Sequence, residues 1–147
     1  MATSNVSAID QDTWQLVATN SPTSGTTSTF SSLSGYKKYM LMAEDVTGSS
    51  AELRVTFNGS ATGYNGIIVA VANSKTYLFL TVGSTNASGY MTIDNVNNGG
   101  PKITNGIDFN AYVTLGTWSN TDPITSITVT RTTAYTGGTL KLYGIAG

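Results

Sequence analysis

The chain has 147 residues, a net charge of −1 and 10% charged side chains, against roughly a quarter in an average soluble domain. It contains neither cysteine nor histidine, which excludes disulfides, thiolate metal sites, cysteine nucleophiles and the imidazole base that most serine nucleophiles need. The length suits one domain, and Lys37 and Lys38 are its only adjacent cations, too few for a surface that neutralises nucleic-acid phosphates.

In chain order, "MATSNVSAIDQD" (1–12) reads as a polar arm. It lacks the basic and apolar regions of a secretory signal, and no apolar run reaches the length of a membrane helix. "TWQLVA" (13–18) places Trp14, Leu16 and Ala18 on one face of a strand, and the loop "TNSPTSGT" follows. "STFSSL" leads into "YKKYMLMA" (36–43), in which Tyr36, Lys38, Met40 and Met42 alternate with Lys37, Tyr39 and Leu41. "AELRVTF" (51–57) has the cleanest period of two, with Leu53, Val55 and Phe57 inward.

"GIIVAVA" (66–72) is apolar on both faces and predicts one covered strand. A hairpin-length loop at Asn73-Ser74-Lys75 is expected to join it to "TYLFLTV" (76–82). "YMTIDNV" (90–96) is a further strand, and "NGGPKITNG" (98–106) reads as a turn-rich connection. "FNAYVTLGTW" (109–118), "ITSITVTRT" (124–132) and "TLKLYGI" (139–145) complete the set, the second with Ile127, Val129 and Arg131 on one face. The sum is all-β: a single antiparallel β-sandwich, residues 13–147, of about eight to ten strands with turn signals every 8–12 residues.

Sites of chemistry are sparse. Glu44 and Asp45 are adjacent in sequence, so on a strand they point to opposite faces and suit a solvated turn better than a glycosidase pair. "DNVNNG" (94–99) fits a calcium loop at Asp94, Asn98 and Gly99, but Val96 fails the third position and Asn105 the twelfth. No metal and no cofactor is expected. Three N-x-S/T matches, at Asn5, Asn58 and Asn86, are what chance gives in a chain so rich in asparagine and serine. Tyr64, beside Asn65 in "ATGYNGI", and Tyr135 in "TTAYTGG" are expected to stand out from loops and touch a partner or ligand. Trp118 is expected at the edge of the core.

The succession "WQL", "FSSLSGYKKYML", "LRVTFN", "ITSITV" and "GTLKLYGI" resembles small bacteriophage virion proteins over most of residues 13–145. The resemblance implies a jelly-roll module that acts as a capsid cement (decoration) protein, non-enzymatic, on the capsid surface of the virion. It further implies a major capsid protein as partner, bridged at subunit joints, and a homotrimer, with neither nucleic acid nor membrane bound. In that setting the 1–12 arm, with Ile9 and Asp10, is expected to clamp a neighbour. The alternative is a receptor-binding module at a tail or fibre tip, holding a host glycan through Tyr64 and Tyr135.

Overall fold

The computed structural model describes residues 13–49, 52–68, 71–81 and 86–147, excepting the side chains at 67, 68 and 71–75. The polar arm 1–12, including Ile9 and Asp10, lies outside the described residues. Among those described, every regular element is a β-strand.

The first four strands are β1 (Gln15–Asn20), β2 (Thr27–Phe30), β3 (Tyr36–Thr47) and β4 (Leu53–Phe57). Then come β5 (Tyr64–Ile68), β6 (Val71–Lys75), β7 (Leu78–Thr81) and β8 (Asn86–Asp94). The last four are β9 (Lys102–Asp108), β10 (Val113–Trp118), β11 (Ile127–Arg131) and β12 (Gly137–Ala146).

They form a β-sandwich of two antiparallel sheets. The larger runs β1-β12-β3-β8-β9-β10-β5-β6 and the smaller β2-β11-β4-β7. Eight of the strands pair as a long hairpin folded over on itself: β1 with β12, β2 with β11, β3 with β8, and β4 with β7. The other four are two inserted hairpins, β5-β6 between β4 and β7, and β9-β10 between β8 and β11. They join each other through β10 and β5, and extend the larger sheet past β8.

Alternation fills the space between the sheets. Tyr39, Leu41 and Ala43 of β3, Leu140 and Leu142 of β12, and Met91 and Ile93 of β8 point inward from the larger sheet. Leu53, Val55 and Phe57 of β4, with Ile127 and Val129 of β11, meet them from the smaller one. Each buried aliphatic of this kind contributes about 1.5–3 kcal/mol relative to an exposed one. The expected final strand is thus a central one, held on both sides by β1 and β3.

Four expectations need correction. The strands number twelve among the described residues, not eight to ten. The apolar stretch 66–72 is two strands, β5 and β6, paired antiparallel from Ile68 and Val71. Consequently residues 73–75 are no hairpin loop: they belong to β6 in the larger sheet, and residues 76–77 cross to β7 in the smaller. The stretch 98–106, read as a connection, holds most of β9. Its inward residues are Lys102, Thr104, Gly106 and Asp108, and its isoleucine at 103 faces out. A strand polar inside and apolar outside defeats a reading that seeks the apolar face inward.

At one corner β12 and β3 both break register, between Gly137 and Thr139 and between Ala43 and Val46. Gly138 has φ +92° there, and a Cβ on it would collide with the backbone of Asp45 and Val46. Only glycine suits both the dihedral and the space. Gly138→Ala is therefore expected to lower stability by more than about 2 kcal/mol, measured by urea unfolding; an unchanged midpoint would refute this account of the corner.

Candidate functional site

Tyr64 and Trp118 face each other as a cross-strand pair of β5 and β10. Their rings stack at 5.9 Å and 14°, and Phe57 of β4 lies 5.5 Å from Trp118 and 6.0 Å from Tyr64. The polar tips are satisfied within the fold. Trp118 Nε1 donates to Thr62 O at 3.1 Å, and the Tyr64 hydroxyl accepts from Phe57 N at 2.8 Å while donating to Ser60 O at 3.2 Å. Trp118 is buried as expected. Tyr64 is not the solvent-facing aromatic expected: it is 1% exposed. The glycines beside it do not project it outward, because Tyr64 opens a strand whose inner phase it occupies.

Tyr135 is also buried, at 1% exposure, although it lies in a loop. Its hydroxyl donates to Val129 O at 2.9 Å, and its ring lies 5.6 Å from the Arg131 guanidinium carbon. Burial pushes its pKa up to about 12, with Arg131 pulling the other way. Arg131, itself 2% exposed, donates from Nη1 to Val46 O at 3.1 Å. Burial holds its pKa below the usual value. The sequence puts Arg131 on one face with Ile127 and Val129, and that face is the inner one, so the shared phase was a readable signal of a buried cation.

The 94–101 loop is held by a lysine from below. Lys102, 0% exposed, donates from Nζ to Asn98 O at 2.9 Å and to Gly100 O at 3.0 Å. Burial lowers its pKa, and Asp122 opposes that. Asp94 is bound to Lys38 at 2.9 Å, and Asn95 Nδ2 donates to Pro101 O at 3.1 Å. The loop carbonyls thus already meet an ammonium group. Glu44 pairs with Lys141 at 2.7 Å. Asp45 sits in the β3 bulge at φ +47°, its N–H donating to Ser88 Oγ at 2.9 Å. Among the described residues, no three His, Cys, Asp or Glu side chains gather as a metal site.

Asn65 alone of the described candidate contacts remains exposed. It lies on the outer face of the larger sheet, at a shallow groove of about 330 Å³ over the facing Gly66 and Gly116. Ile103, Asn105, Leu115 and Thr117 border the groove. Gly116 is small for an internal reason: a Cβ there would collide with Leu78, which reaches it from β7 of the smaller sheet. The arrangement offers apolar surface with amide and hydroxyl groups, suited to docking by contact and hydrogen bonding. No known family model matches the chain, and no curated protein matches it.

Two outcomes follow for the buried tyrosines. Tyr64→Phe removes the acceptor of a buried N–H and is expected to cost about 1–2 kcal/mol of stability in urea unfolding; no loss would mean that Phe57 N finds another partner. Tyr39 and Tyr135 are both raised from 10.0 to about 12, Tyr39 by burial and then by Tyr36. Above pH 10 the unfolded chain releases these protons before the folded one does, so their contribution to stability is present below pH 10 and is lost as pH rises toward about 12. Tyrosinate absorbance should show a late group titrating together with loss of folded structure. Titration of all eight tyrosines near the ordinary value in the folded protein would contradict it.

Proposed function

We propose that the chain is a non-enzymatic phage virion protein, a jelly-roll module that decorates the capsid and binds the major capsid protein across subunit joints. The observation that carries the reading is the folded-over pairing of β1 with β12, β2 with β11, β3 with β8 and β4 with β7. Two four-strand sheets ordered in this way are what a long hairpin rolled into two Greek keys produces. This order agrees with the module that the sequence resembles. Fold alone never fixes a role, so the reading rests on pairing order and resemblance together.

In this reading the work is mechanical. A module that binds the assembled shell, and not its loose subunits, stabilises the shell by mass action. The 1–12 arm, with Ile9 and Asp10, reaches over a neighbouring shell subunit, and no cofactor takes part. The fibre-tip alternative relied on Tyr64 and Tyr135 as a sugar platform, and their burial leaves it without those aromatics.

Gold-tagged antibody against the protein, applied to virions in the electron microscope, should label heads evenly. Label confined to the tail tip would overturn the reading in favour of receptor binding, and no label would remove the virion setting. Deletion of residues 1–12 is expected to lower head occupancy severalfold; unchanged occupancy would remove the clamp.

A further inference from the structure

Among the described residues, the large hydrophobic side chains that stand exposed all belong to one side of the molecule. Leu16, Tyr90, Ile103, Val113 and Leu115 lie on strands of the larger sheet, and Phe109 and Tyr112 lie in the turn joining β9 to β10. The register puts the strand residues on one face, because directly paired residues of antiparallel strands share a side. One row runs Leu16, Tyr143, Met40, Thr92, Asn105, Leu115 across six strands. The next runs Lys141, Met42, Tyr90, Ile107, Val113, and a third runs from Ile145 through Lys38, Asp94 and Ile103 to Thr117 and Asn65. All three rows lie on the outer face, away from the core.

We propose that this outer face of the larger sheet is the contact surface with a second copy of the same chain, in a two-fold dimer with the two sheets face to face. Charge selects this occupant. A patch that meets its own copy meets its own charges, so a surplus of either sign would repel it. Here the charges on the rows are neutralised within the chain, Lys38 by Asp94 at 2.9 Å and Lys141 by Glu44 at 2.7 Å. Two cations and two anions leave no surplus. Size agrees. From β1 to β5 the face is about 30 Å wide, and three alternate rows cover about 17 Å along the strands. That is on the order of 500 Å² in flat projection before side-chain relief, which approaches the ~800 Å² of accessible surface that each partner contributes to a standard interface. Within this face Leu16, Tyr90, Ile103, Val113 and Leu115 are exposed apolar side chains that a partner would take out of water. A single self-complementary face also closes at two copies, since a ring of three needs two different surfaces. The inference does not depend on the virion reading, and it sets a two-fold pair in place of the homotrimer that the resemblance implies.

Sedimentation of the purified full chain at micromolar concentrations tests it. The chain should sediment as a dimer that dissociates on dilution. Leu115→Lys, at a position 44% exposed, should weaken the dimer at least about tenfold by setting an unpaired cation inside the contact. Its thermal unfolding, read where both proteins are monomeric, should be unchanged. Thr27→Lys, exposed on β2 of the smaller sheet, should leave the dimer intact. A chain that stays monomeric, a trimer, or a dimer indifferent to Leu115→Lys would each overturn the proposal. A monomer whose face is instead covered by shell protein or by residues 1–12 falls among the first of these.

Discussion

The width of the larger sheet depends on three rings. Tyr64 and Trp118 are a cross-strand pair of the inserted hairpins, and Phe57 of the smaller sheet packs against both. Without that contact, among the described residues only the reach of Leu78 from β7 to Gly66 and Gly116 would cover the inner side of β5 and β10. An isolated hairpin is marginal in water, and it becomes stable when a third element covers its apolar side. The Tyr64 hydroxyl and the Trp118 indole also bond backbone groups at 57, 60 and 62. The same cluster therefore pins the turn between β4 and β5, and with it the position at which the first insertion leaves the smaller sheet.

The extension built on that anchor is inside-out. Under β9 and β10 lie Lys102, Thr104, Asp108 and Thr114, with glycines at 106 and 116. Above them stand Ile103, Val113 and Leu115. Polar groups at such depth are costly without partners, and several find them close by in sequence. Lys102 takes two loop carbonyls, and Asp108 accepts the N–H groups of Asn110 and Tyr112 at 2.9 and 3.0 Å. Local loops thus take up Lys102 and Asp108, while Thr114 Oγ1 is buried without a partner, and Ile103, Val113 and Leu115 of the same strands face outward. The fold stabilises these strands through turns and glycine-to-leucine contact with β7. It leaves their apolar face to contribute elsewhere, and this is what gives the outer surface its chemistry.

Much of the architecture was legible in the alternation. Leu53, Val55 and Phe57 point inward as their spacing requires, and Trp118 is interior. So is Arg131, which shares the phase of Ile127 and Val129. What was not legible has a common cause. Tyr64 and Tyr135 are flanked by glycine, threonine and asparagine, a composition that marks loops but does not reveal whether a loop folds over the core or away from it. Each ring is held by a hydroxyl bond to a backbone group, four to seven residues away for Tyr64 and six for Tyr135, and no local pattern encodes that bond. Strand β9 escaped because its period of two carries the opposite polarity.

By itself, then, the sequence determined the class of fold and the inward phase of its central strands, since side-chain alternation is a local property of an extended backbone. It also determined what chemistry is barred, through the absence of histidine and cysteine. The tertiary structure alone decided which strands share a sheet and which tyrosines are interior. It also decided that Leu16 and Leu115, ninety-nine positions apart, share one outer row. Those outcomes rest on pairings between distant segments, whose register is fixed by the packing of both sheets at once and by no stretch of chain alone.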